Sequence, residues 1–222
     1  MNKEFATFQQ QAYDYVRDQI INLGFKPGEY ITDSQIAKIL NISRTPAREA
    51  FQRLEKEGLL LTEPRRGWRV YTLSLEDIHE IFQLKIAIEG MMVAKAAECT
   101  DEALRKELAD TMVAMKEAPD AEVWLEADVH LHNILFIMAD NQRAERIIAN
   151  LNDQWHRIRL GYVGMRGRTV QSIDEHENFV NSVLASQPDD AAKYMTIHLN
   201  RVRDDLINMV SKVLMPYNEN GF

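Results

Sequence analysis

Apolar positions fall into two regimes along the chain. Up to about residue 73 they come in short runs broken by turn residues, and from Ser74 on they recur with a period of about 3.6 residues over long stretches. In the first regime Ala12, Tyr15, Val16, Ile20 and Ile21 predict a helix from about Phe5 to Leu23, ended by Gly24. After the turn Lys26-Pro27-Gly28, Thr32 and Gln35 stand at capping-box spacing ahead of Ile36, Ala37, Ile39 and Leu40, which predicts a short helix stopping at Asn41. Ser43, Thr45 and Pro46 suit the start of a third helix that runs to Glu57 before Gly58. The stretch from Leu59 to Leu73 reads as two short strands around the tip Pro64-Arg65-Arg66-Gly67.

Two helices joined by a tight turn and followed by a hairpin make a winged helix-turn-helix. The second regime predicts helices near 75–97, 101–117, 120–139, 142–165, 170–186 and 189–213. Helices of this length with short connections form a bundle. The expected fold is therefore mostly α, with a winged helix-turn-helix over 1–73 and an all-α six-helix bundle over 74–222. No internal repeat or low-complexity tract interrupts it.

Charge separates the same two regions. Residues 1–73 carry 11 Lys/Arg against 9 Asp/Glu, whereas residues 74–222 carry 15 against 25, so a formal net charge of -8 conceals a slightly basic front and an acidic back. Only the front can face polyphosphate comfortably. Cys99 is the only cysteine, which excludes an intramolecular disulfide, a thiolate zinc knuckle and a CxxC redox pair. No leader pattern and no run near the ~20 apolar residues of a membrane span is present, so a cytoplasmic protein is expected.

The third helix opens SRTPAREA, with Arg44 and Arg48 four apart on one face and Thr45 beside them. Arg can hydrogen-bond guanine O6 and N7 in bidentate fashion, and a hydroxyl can reach a phosphate or a thymine methyl. Taken alone these arginines read first as solvated charges pairing with Glu49 or Asp33. Context favours DNA contact, because Ala47, Ala50, Phe51 and Leu54 supply the packing face and the hairpin adds Arg65, Arg66, Arg69 and the turn residue Gly67.

The bundle carries a second constellation. Asp128 and His132 share an inward helix face with Leu125, Leu135 and Phe136; His176 shares a stripe with Phe179, Val180 and Val183; His198 shares one with Met195, Val202 and Leu206. Each histidine alone reads as a satisfied core residue. Three imidazoles and a carboxylate on apolar faces of three helices read as ligands of a shared divalent cation: zinc or nickel, with manganese or iron as alternatives. Arg157 and Arg159 are candidates to clamp a ligand carboxylate, or are surface charges.

SRTPAREAFQRLEKEGLL, followed by PRRGWRV, resembles the winged-helix signature of GntR-superfamily regulators. The remainder, from LSLEDIHEIFQLKIAIEG to the last helix, resembles the FCD effector domain of the FadR-type branch, nearest its VanR-like group in helix count and length. This resemblance implies a homodimeric transcription regulator, a repressor, that binds double-stranded operator DNA and answers to a small carboxylate effector. It also implies that Asp128, His132, His176 and His198 hold metal, since they match an Asp-x-x-x-His pair and two later histidines that do so in many FCD domains. Two departures stand out: Asp33-Ser34 replaces Arg or Glu-Arg in the second helix, and Lys85 replaces a frequent Arg near the ligand pocket.

Two other readings fit the residues. A metal-dependent hydrolase on an all-α scaffold would use the ion to activate water, but no adjacent His-Asp pair occurs at the ligands, and the winged helix would be unexplained. A regulator sensing the metal itself would need the same ligands.

Overall fold

The computed structural model describes residues 7–161 and 168–214, without the side chains of residue 121, of 153–161, of 168–171 and of 209–214. The chain divides into two compact units, the first comprising the residues up to Ser74 with Asn152–Gly161, the second comprising Leu75–Leu151 and the residues beyond the gap.

The first unit holds α1 (Phe8–Ile21), β1 (Tyr30–Ile31), α2 (Asp33–Ile39), α3 (Arg44–Lys56), β2 (Leu60–Glu63) and β3 (Gly67–Val70). Thr7 caps α1, accepting from the Gln10 N–H, and places the start of the helix later than the apolar pattern suggests. Its end is also displaced: Leu23, not Gly24, takes the left-handed conformation, with φ 57°. The capping box of α2 forms, Thr32 and Gln35 each bonding the other's backbone N–H. Asn41 and Gly58 take positive φ where helices α2 and α3 stop, and the Leu59 N–H reaches back to the Leu54 carbonyl to close α3.

The three helices bury Val16, Ile20, Ile36, Ala50, Phe51 and Leu54 against Leu59, Leu60, Trp68 and Val70 of the hairpin. Phe51 is fully buried and meets Trp68 edge to face at 5.5 Å between centroids. Truncating Phe51→Ala is expected to cost about 3–5 kcal/mol of this unit's stability, read as a lower urea midpoint for loss of its structure; a change near zero would remove Phe51 as its keystone. The sheet has the order β1-β3-β2, all antiparallel, so the wing hairpin is anchored by a short strand that periodicity does not reveal.

The second unit holds α4 (Leu75–Ala96), α5 (Glu102–Lys116), α6 (Ala121–Ala139), the first part of α7 (Gln142–Gly161), α8 (Arg168–Leu184) and α9 (Pro188–Leu214). Asp101 and Asp120 cap α5 and α6 by accepting two backbone N–H groups each, and Pro188 opens α9 at the position where its missing N–H costs nothing. Helix α4 packs along α9, α8 also packs on α9, and α6 lies against α4 and α5. The core between them contains Phe82, Met92, Leu108, Met115, Leu135, Phe179 and Leu206. Among the described residues no helix is long and apolar enough to cross a membrane.

Candidate functional site

In the first unit the packing face of α3 fixes what its other face can do. Ala47, Ala50, Phe51 and Leu54 are buried, and Arg44, Thr45 and Arg48 are exposed near the helix start. Ser43 occupies the N-cap but its side chain makes no capping hydrogen bond. Arg44 is not simply solvated: its Nε donates to Oδ1 of the buried Asp33 at 2.9 Å. Arg53, lower on the same helix, has a structural task, stacking 3.7 Å from the Tyr13 ring centroid and bonding Glu57.

The hairpin sorts its arginines in the same way. Arg65 is exposed at the tip in a left-handed conformation, with φ 68°. Arg66 is exposed but tethered, donating to the Tyr30 hydroxyl at 3.2 Å, while that hydroxyl donates to Glu63 at 3.0 Å. Arg69 is held by Glu63 at 2.6 Å. Gly67 has φ +96°, and a Cβ there would lie 3.3 Å from the Ile31 carbonyl oxygen, so the turn into β3 requires glycine. Its place is in the backbone that presents the tip.

In the second unit, α6, α8 and α9 bring His132, His176 and His198 together, with one ring nitrogen of each within 4.8 Å of the others. The His176 and His198 ring centroids are 4.4 Å apart. Each ring turns its Nδ1 toward a protein oxygen, and for His176 and His198 that contact is a hydrogen bond. His132 Nδ1 lies 3.1 Å from Glu89 Oε2, His198 Nδ1 lies 2.9 Å from Glu175 Oε2, and His176 Nδ1 lies 2.6 Å from the Ser172 carbonyl oxygen. An N–H donated on the Nδ1 side sets the tautomer and leaves Nε2 as the ligand edge.

Asp128 Oδ1 lies 2.9 Å from His176 Nε2, yet that buried nitrogen makes no hydrogen bond, because the approach is close but out of line. With its proton on Nδ1, His176 turns a lone pair toward a carboxylate oxygen. Either a proton or a metal ion between them would satisfy this contact. The donor set of three imidazoles and one carboxylate, with no thiolate, fits a divalent transition metal. The rings of Phe179 and Trp124, 5.0 and 6.1 Å from the His176 centroid, add an apolar wall.

The electrostatics of the rings differ. Burial, aided by the neighbouring His176 and only partly offset by Glu175, brings the His198 pKa down to about 3, which keeps the ring neutral. Burial opposes ionisation of Glu89, but Lys85 and His132 outweigh it and hold its carboxyl at about 2. The same Glu89 contact, with Asp128, raises the His132 pKa against the opposing effect of burial.

Sequence reasoning missed Glu89 and Glu175, the carboxylates behind His132 and His198. Lys85 and Glu89 form a buried ion pair on α4, and Glu175 is also bonded by Arg201 at 3.2 Å. Carboxylates behind metal-binding imidazoles orient the ring and raise its basicity. Glu175→Gln and Glu89→Gln are each expected to weaken metal binding about 10–100-fold, measured by chelator competition; unchanged affinity would mean they orient nothing. His130, on the outer face of α6, is exposed and sits 3.2 Å from Glu107, apart from the cluster. The side chains of Arg157 and Arg159 lie outside the described residues.

A three-helix head with a basic wing defines a winged-helix DNA-binding protein, here followed by an all-helical domain. Residues 8–70 match the gntR family of bacterial regulatory proteins and residues 80–201 match the FCD domain. The chain belongs to the GntR family of transcription regulators, with an FCD domain as its C-terminal part. It is 30% identical over 196 residues to the HTH-type transcriptional regulator YdhC of Bacillus subtilis, covering 86% of this chain and 87% of that one. With the HTH-type transcriptional repressor RspR of Escherichia coli it shares 26% identity over 201 residues, 89% of this chain and 88% of the other. The solved structure of E. coli McbR/YncC has the same fold, with a TM-score of 0.76 at 17% identity, covering 93% of this chain and 100% of that one. The family, YdhC and RspR are transcription regulators, not enzymes, and the hydrolase reading falls with that finding.

Proposed function

We propose that this protein is a cytoplasmic, homodimeric repressor in which residues 1–73 bind operator DNA and residues 74–222 bind a divalent metal and a small carboxylate effector. Asp128, His132, His176 and His198 would hold the metal, zinc or nickel before manganese or iron. The ion would supply a Lewis-acidic anchor for the effector's oxygen atoms. Arg44, Thr45 and Arg48 would enter the major groove, with Arg65 and Arg66 on the wing against the backbone or minor groove. The similarity to a repressor, RspR, supports the sign of the regulation.

The observation that supports the metal-bound sensor is the clustering of one ring nitrogen from each of His132, His176 and His198 within 4.8 Å of one another, with Glu89, the Ser172 carbonyl and Glu175 facing the Nδ1 edges. An effector can release DNA only if it binds one dimer arrangement more tightly than the other, and the two arrangements must differ in the spacing of their recognition helices.

The test is to isolate duplexes from a random pool with the full-length protein, then titrate a panel of organic acids with and without bound metal. Release of the selected duplex by an acid only when metal is present supports the reading. Release that follows free metal with no acid present would replace the effector sensor by a metal sensor, and indifference to both would remove ligand control.

A further inference from the structure

We infer that Asp33 is a positioning residue for DNA recognition: by holding Nε of Arg44, it commits this arginine to reading guanine through its two terminal Nη groups. The inference rests on α3 being the recognition helix. Asp33 is the first residue of α2, and its side chain is buried, at 6% exposure, while that of Arg44 is 67% exposed. Their contact, Nε to Oδ1 at 2.9 Å, spans the turn of the helix-turn-helix.

An ion pair with one partner this exposed contributes little to folding. Its effect is directional. A guanidinium offers two forks, one made by Nε–H with one Nη and one made by the two Nη groups. Donation from Nε to Asp33 uses up the first fork. The second remains on the exposed end, and its paired N–H groups match the O6 and N7 acceptors of guanine. Asp33 also stands at the N-terminus of α2, where the helix dipole favours a negative charge and where Ser34 Oγ lies 3.4 Å away as a further, weaker partner. A long side chain held at its Nε gives up part of its rotamer freedom before binding, so less is lost when the base is engaged.

Arg48, one turn further along the exposed face, has no such carboxylate described beside it, so the two arginines should differ in how sharply they discriminate.

The experiment measures binding of the full-length protein to a duplex selected by the wild type, to the same duplex with the Arg44-dependent G·C pair changed to A·T, and to an unrelated duplex. Asp33→Asn is expected to weaken binding to the selected duplex about tenfold and to shrink the guanine preference similarly, leaving the unrelated duplex and the salt slope unchanged. In an Arg44→Ala background Asp33→Asn should then have no further effect. Equal weakening on all three duplexes, or an undiminished effect without Arg44, would make Asp33 a structural tie and overturn the inference. If Arg44→Ala costs no affinity for the selected duplex, the recognition-helix reading fails and takes this inference with it; if Arg44→Ala weakens binding but Asp33→Asn does not, only this inference fails.

Discussion

Purified wild-type protein is expected to carry a near-stoichiometric divalent metal, and His176→Ala/His198→Ala to carry none. The double substitution removes two of the three clustered imidazoles, and the remaining pair, Asp128 and His132, lies on one helix and cannot by itself enclose an ion. Metal that binds only the folded form stabilises by mass action, so chelation should lower the melting temperature of the wild type and leave the double variant unaffected. A second comparison separates ligands from ordinary core histidines. If no metal binds, His176→Phe replaces a buried, incompletely satisfied imidazole by an apolar ring beside Phe179, and should be neutral or stabilising. If the site holds metal, the same change should cost both the metal and the stability it confers. Equal metal content in wild type and double variant would overturn the metal assignment while leaving the winged helix untouched.

Most of the architecture could be read from local signals because those signals have local causes. The capping box at Thr32 and Gln35, the glycine after α3 and the basic hairpin tip each arise within a few residues. Strand β1 was hidden because a pair of residues cannot show a period; Tyr30 and Ile31 become a strand only when Arg69 and Trp68 arrive from far along the chain. The helix end at Leu23 was misplaced for a similar reason, since the adjacent Gly24 looked the better left-handed residue. In the bundle, the histidines on apolar stripes stand out as candidate ligands, whereas the carboxylates beside them do not. Lys85 and Glu89 did leave a trace: they continue the buried stripe of Ile78, Ile81, Phe82, Met92 and Val93 on α4, where unpaired charge would be prohibitive. Glu175, next to His176, left none, because adjacent helical residues diverge and only the approach of α9 with His198 makes it a partner.

Replacing both Arg44 and Arg48 by Ala is expected to abolish specific DNA binding without unfolding the head. Each bidentate arginine–base contact discriminates by about 1–3 kcal/mol, so two together correspond to roughly two to four orders of magnitude in affinity for the selected duplex. Both side chains are exposed, and the packing of α3 rests on Ala47, Ala50, Phe51 and Leu54, so the far-UV spectrum and melting curve should be retained. Wing substitutions should behave differently. Arg65→Ala should weaken selected and unrelated duplexes alike and lower the salt slope by about one unit, the mark of a lost phosphate contact. Arg66→Ala also frees Tyr30 and disturbs its bond to Glu63, so part of its effect would be on hairpin order. If the double α3 variant instead loses affinity equally for every duplex, with a smaller salt slope, Arg44 and Arg48 contact phosphates. Base reading would then have to come from elsewhere on the head, and the exposed Thr45 and the wing tip would be the first places to look.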